Sequence, residues 1–219
     1  WIKDHYAQFA AQRSVITIPV VVHIWENSSS VPNDRVYEQI VSLNEDFRNV
    51  NADTTNIPAI FDSVRADIEI EFCLASTDPN GNPTTGIVRE TAGGQPNGNN
   101  EMWDNTSYLN IYVYGISGGT LGFTQVPSSN PNYAVHIGTG YFGNSSDFTY
   151  NLGRTATHEI GHWLNLEHIW GGGCGSDDGY SDTPNQSSPN YGCPSHPSTS
   201  CSNDGDMTMN YMDYTDDAC

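Results

Sequence analysis

The chain has 219 residues, enough for a single domain with a real apolar core. Its 7 Lys and Arg stand against 26 Asp and Glu, a formal net charge of −19, and no basic residue follows Arg154. That balance excludes nucleic acid and anionic membrane surfaces as partners, because phosphate binding needs positive charge; a cation or a basic peptide suits it better.

No apolar run is long enough to span a membrane. Trp1 opens directly in mixed polar sequence, without a secretory leader, so the chain reads as a processed form. SVITIPVVVHIW, Ser14 to Trp25, is apolar at both alternating sets of positions and predicts a central strand covered on both faces. Pro19 is at odds with that strand, since proline lacks a ladder donor. Val36, Ile40, Leu43 and Phe47 then fall at helical spacing, with Asn33 or Asp34 as the expected cap. IEIEFCL, Ile68 to Leu74, alternates as a half-buried strand, and TDPNGNPTTG is a turn cluster. Gly93 to Asn100 reads as a loop and LNIYVYG, from Leu109, as another strand; TLGFTQV and YAVHIG are short strand candidates. A helix around His158 follows, and beyond residue 171 the composition shifts to Gly, Ser, Asp and Pro. Four of the five cysteines (Cys174, Cys193, Cys201 and Cys219) lie in this tail, which predicts disulfides and an oxidising, secreted setting. Four cysteines allow three pairings, and no C-x-x-C pair suggests a thiolate zinc site.

The chemistry concentrates in HEIGHWLNLEH. On a helix over Thr155 to Leu166, His158 and His162 share one face a turn apart, while Ala156, Ile160, Trp163 and Leu164 form an apolar stripe roughly opposite. Two neutral imidazoles so placed can both ligate Zn²⁺, and Glu159 can serve as general base toward a metal-activated water. Paired helical histidines also occur as ordinary surface or core residues, and H-E-x-x-H arises by chance. A third ligand therefore decides. Glu167 is the last glutamate and too close to serve from a second helix; Asp177, Asp178 or Asp182 would be an acidic alternative. His168, six residues after His162, is the favoured choice. It requires the helix to stop near residue 165 in a left-handed conformation, which glycine adopts at least cost and asparagine next.

H-E-x-x-H-x-x-N-x-x-H followed by a methionine-containing turn resembles the metzincin clan of zinc endopeptidases. HEIGHWLNLEHIWGG, then DTP and NYMDYTDDAC, resembles the pappalysin family within it, as do IPVVVHIW, LNEDF and EFCLASTDPNGNPTTGI earlier. The resemblance spans nearly the whole chain; Asn165 stands where glycine is usual. It implies an α+β metzincin-type catalytic domain over residues 1–219. The upper half, 1–165, would hold a twisted mixed sheet with two long helices, and the lower half, 166–219, would be irregular and stabilised by disulfides and calcium.

The same resemblance implies zinc on His158, His162 and His168, and Met212 as an apolar floor beneath them. Glu159-assisted attack of zinc-bound water would cut the peptide, with Tyr214 stabilising the oxyanion. An extended substrate would lie along an edge strand, for which Leu121 to Val126 is the candidate, with a basic residue favoured just after the cut. Structural calcium is implied at Asp178, the Tyr180 carbonyl, Asp182 and the Thr183 carbonyl, although a solvated loop accounts for the same aspartates. The implied disulfides are Cys174–Cys201 and Cys193–Cys219, leaving Cys73 as a buried or free thiol. Partners would be protein or peptide substrates and, in a precursor, an inhibitory prosegment. Because relatives continue past the last cysteine, truncation at the C-terminus is also expected. Two other readings are a calcium-stabilised binding module with a non-productive metal site and a zinc hydrolase of small amides. The intact Glu159 argues against the first, and an extended cleft would argue against the second.

Overall fold

The computed structural model describes residues 14–27, 29–97, 101–124, 133–145 and 149–219. Strand β1 (Ile16–Ile24) is the centre of the sheet, as its two-faced apolar run predicts, and Val20, Val21, Val22 and Ile24 are fully buried. β2 (Ile70–Leu74) and then β3 (Ile87–Arg89) run parallel along one side of it, and β4 (Leu109–Tyr114) along the other. Pro19 is tolerated for a local reason. Ile16 N–H and the Val20 carbonyl bond toward β2, so position 19 faces the other side, where the ladder with β4 begins only at Val20↔Leu109. Sequence reading missed β3, a three-residue strand behind the turn cluster.

Beyond β4 lie β6 (Val135–Gly138), parallel, and β5 (Gly122–Thr124), antiparallel to β6 and at the sheet's edge. The TLGFTQV candidate is thus shorter than expected within the described residues; Gln125 and Val126 lie outside them, as do Gly98, Asn99 and Asn100 of the expected loop. One sheet face carries both helices, α1 (Asn33–Phe47) and α2 (Arg154–Trp163). Val36, Leu43 and Phe47 of α1 and Ala156 and Ile160 of α2 pack on Val20, Val22, Leu109, Ile111 and Val113. Tyr112 and Tyr114 of β4, with Trp25 just past the end of β1, cover the far face, where His23 of β1 sits 3.2 Å from both Glu90 and Asn110. The expected cap of α1 is corrected: Pro32 holds the N-cap position and no side chain caps the helix. Asn33 and Asp34 are already helical, and Asp34 instead sets its charge in the first turn, where it favours the helix dipole.

Asn44 of α1 reaches the outer edge of β2. Its amide donates to the Phe72 carbonyl (3.0 Å) and accepts from the Phe72 N–H (2.7 Å), standing in for a neighbouring strand. Cys73, beside it on this edge strand, is free and exposed rather than buried.

Residues 164–219 contain no helix or strand. They are held by Cys174–Cys201, Cys193–Cys219 and a small core of Ile169, Met207 and Met212 with Phe61. Buried carboxylates replace the missing ladders. Asp213 accepts from the Asn190 N–H (2.8 Å), the Asn190 and Gln186 amides (3.0 and 2.8 Å) and the Tyr214 N–H (2.9 Å). The chain is thus α+β, a mixed sheet with two helices on one face and an irregular disulfide-bonded remainder.

Candidate active site

Helix α2 begins at Gly153, which takes φ 80°, and ends where its sequence directs. Its N-terminus has no cap of its own; Asp217, from the far end of the chain, accepts from the Leu152 and Arg154 N–H groups at 2.7 and 3.3 Å. At the other end Asn165 takes φ 71°, and the Leu166 N–H bonds back to the Gly161 carbonyl at 2.9 Å. This is the left-handed helix closure expected from the sequence, and asparagine performs it. The chain then doubles back, which brings His168 Nε2 to 3.1 Å from His162 Nε2.

The three imidazoles converge. One ring nitrogen from each of His158, His162 and His168 lies within 4.8 Å of the others, the only such gathering of His, Cys, Asp or Glu among the described residues. His158 Nδ1–H donates to the Tyr211 carbonyl (2.6 Å) and His162 Nδ1–H to the Leu166 carbonyl (2.7 Å), which leaves both Nε2 lone pairs aimed inward. Burial lowers the pKa of His158 to about 3 and of His168 to about 4, keeping both neutral as ligands must be. Inward lone pairs at this spacing repel one another unless a cation sits among them. Tetrahedral zinc, at roughly 2.0–2.1 Å from each nitrogen, sets neighbouring nitrogens about 3.4 Å apart, so this donor set fits the ion.

Met212 packs directly behind. A Cβ on Gly161 would fall 2.4 Å from its Sδ, so the glycine of HEIGH is what lets the thioether lie against the helix. Tyr214 brings its hydroxyl to 3.0 Å from His168 Nε2, and Trp170 stacks on His168 at 4.2 Å between centroids. Glu159 is buried and its Oε2 has no hydrogen-bond partner. Burial raises its pKa to about 7; the Thr124 side chain nearby pulls weakly the other way. Its Cγ would be 3.0 Å from a Cβ on Gly122, so edge strand β5 passes directly over it. Both border a cleft of about 450 Å³ that also includes His158, Leu121, Tyr191, Tyr214 and Asp216. A strand edge beside the cleft is what an extended peptide needs and a small amide does not.

The calcium candidates are only partly gathered. Asp178 accepts from Thr183 Oγ1 (2.8 Å) and the Tyr180 N–H (3.1 Å), while Asp182 is exposed.

Sequence reading passed over the groups that support the histidines. Asp46 of α1 accepts from Thr157 Oγ1 (2.7 Å) and the Tyr211 hydroxyl (2.8 Å). Arg154 lies over the Tyr211 ring, 5.4 Å from its centroid, and pairs with Asp53 at 2.6 Å. Only one signal was available: Gln39 and Asp46 interrupt the apolar stripe of α1, and both are buried.

This frame, an H-E-x-x-H helix turned back on a third histidine above a methionine, defines the metzincin class of metallopeptidases. A profile of the family described as pregnancy-associated plasma protein-A matches residues 96–219. Extracellular metalloproteases of Colletotrichum graminicola and Pyricularia oryzae are 34% and 33% identical, over 95% and 96% of this chain and 72% and 71% of theirs. Mature mirolysin of Tannerella forsythia, solved with a cleaved peptide, superposes with a TM-score of 0.87 at 44% identity, over 94% of this chain and 86% of that one. Promirolysin of the same organism, solved as a mutant, gives 0.87 at 41% identity over 100% and 81%. The chain belongs to this family, the pappalysins, and is a metalloprotease. The secreted setting expected from its cysteines agrees with its extracellular relatives.

Proposed function

We propose that the chain is a single-domain zinc endopeptidase whose zinc is held by His158, His162 and His168. The observation that carries this is the convergence of three imidazoles beside a buried Glu159, whose Oε2 has no hydrogen-bond partner, in a cleft edged by β5. When bound, zinc supplies Lewis acidity toward a water and the scissile carbonyl. Glu159, poised near neutrality, takes the proton of the attacking water and returns it to the leaving amine. The Tyr214 hydroxyl donates to the oxyanion that forms at the carbonyl. Met212 keeps the imidazoles on a dry, apolar floor. The outer edge of β5 offers main-chain hydrogen bonds to an extended peptide, over Leu121 to Thr124 of the described residues.

A basic residue just after the cut suits this cleft. Asp216 lines it, and the carboxylate of Asp213 nearby is already occupied by its four donors. Calcium at Asp178, Asp182 and the carbonyls of Tyr180 and Thr183 would tie the 171–183 loop. A precursor would carry a prosegment that covers the metal site; mirolysin, a relative, has also been solved as a pro-form.

The test is cleavage of a mixed peptide library, read by mass spectrometry, by the zinc-loaded chain and by Glu159→Ala. The expected result is internal cuts before Lys or Arg from the parent and none from the variant. A folded, zinc-loaded parent that cuts nothing sinks the endopeptidase reading; cuts without basic residues after them sink only the specificity.

A further inference from the structure

The carboxylate of Asp46 is placed where two routes to His158 meet. Thr157, whose hydroxyl it accepts at 2.7 Å, directly precedes His158 on α2. Tyr211, whose hydroxyl it accepts at 2.8 Å, lends its own carbonyl to His158 Nδ1–H at 2.6 Å. The Tyr211 ring between these ends is covered by the Arg154 guanidinium, itself held by Asp53, by the Asp217 carbonyl and, at 3.7 Å, by Asp46. A side chain 111 residues away in sequence from Thr157 and 165 from Tyr211 thus grips both flanks of one histidine.

Cohesion between α1 and α2 does not need this arrangement. Gln39 already ties α1 to the start of α2 through the Gly153 carbonyl (2.9 Å) and the core contact is apolar, while burying a carboxylate is costly even with Arg154 Nε 3.7 Å away; burial raises the pKa of Asp46 to about 6. What only an acceptor with two oxygens provides is a fixed separation between the Thr157 and Tyr211 hydroxyls.

We infer that Asp46 is a positioning residue for the metal site: by gripping Thr157 and Tyr211 together it sets the Tyr211 carbonyl against His158 Nδ1 and so aims His158 Nε2. This rests on the reading of the three histidines as ligands. It makes the tyrosine hydroxyl, remote from the reacting atoms, part of the apparatus that fixes ligand direction.

The test uses the full chain, stripped of metal and titrated with zinc in competition with a chromogenic chelator. The variants are Tyr211→Phe, Asp46→Ala, their double, and His158→Ala. Tyr211→Phe keeps the ring and the backbone carbonyl, so it removes the link alone. It is expected to weaken zinc binding at least about 10-fold, within the 10–100-fold typical of groups that orient metal ligands. Asp46→Ala, which also releases Thr157 and Arg154, should weaken binding at least as much, and the double variant should be no weaker than Asp46→Ala alone, since the Tyr211 link is already cut there. Thermal unfolding of the metal-free proteins is recorded beside the titration, because a merely structural role moves only the melting temperature. Zinc affinity within about twofold of the parent in Tyr211→Phe, or effects that multiply in the double variant, overturns the inference. Should Asp46→Ala fail to fold, Tyr211→Phe and Thr157→Val decide in its place. A parent that binds no zinc, or His158→Ala binding it as the parent does, defeats the ligand reading itself; loss in His158→Ala with none in Tyr211→Phe defeats this inference alone.

Discussion

The chain up to Trp163 and the chain after it reach order by different means. The first region has the sheet, both helices and a core whose central residues are fully buried. The second has neither helix nor strand, and relies on two disulfides, a few methionines and buried carboxylates that collect backbone and amide donors. His158, His162 and Glu159 come from the first region, His168 and Tyr214 from the second. The lesson is that the site sits on a seam: the rigid region sets direction, and the stapled region closes on it.

The largest effect should come from cutting the staples. Replacing Cys174 and Cys201 with serine is expected to cost about 2–5 kcal/mol and to abolish peptide cleavage, while the far-ultraviolet signature of the sheet persists. Loss of the whole fold at one midpoint would break the contrast. Ile24→Ala, in the fully buried centre of β1, should cost about 2–5 kcal/mol as well, but by lowering global stability; the protein that remains folded should cleave as the parent does. A fall in kcat/KM at temperatures well below the midpoint would mean the core tunes the seam. At the seam itself, Asn165→Ala should cost about 1 kcal/mol because alanine tolerates φ 71° less well, and Asn165→Gly should not destabilise. Denaturant titration of the pair checks this order.

The smallest expected effect concerns acid. Burial lowers His136, on the sheet's far face, to about 4 from its ordinary 6.5. Its folded pKa is thus depressed, so the stability it contributes is complete above about pH 6.5 and drains away as pH falls toward 4. His158 and His168 act with the same sign in the metal-free chain. Unfolding curves of the parent and His136→Phe between pH 7 and 4.5 separate the contributions: the parent should lose more stability over that span than the variant.

What could be read in advance was local. The His158–His162 spacing encodes a shared helical face, and the six-residue step to His168 encodes one turn closed by a left-handed residue, so those positions needed no distant information. The two-faced apolar run of β1 declared its central place in the same way. Cys73 was harder, because alternation reveals which face a residue takes and not whether its strand lies at an edge. The cap of α1 went wrong because Asn33 and Asp34 carry the right side chains one or two positions too late, after a proline that already sets the backbone. Asp46, Tyr211 and Asp217 were invisible as a set, since their partners lie 63 to 165 residues away and depend on how the second region folds over α2.

The Asn44 amide that closes the β2 edge has a further meaning for a protein that lives among its own copies. An open strand edge recruits any extended chain, including a neighbour's, and is the usual seed of fibrous association. This sheet has two flanks, and the one remote from Glu159 is stitched shut at Phe72. Among the described residues no strand pairs with the other flank, β5, which passes over Glu159. With Glu159 acting as proposed, a stray polypeptide that docks there would be offered cleavage rather than polymerisation.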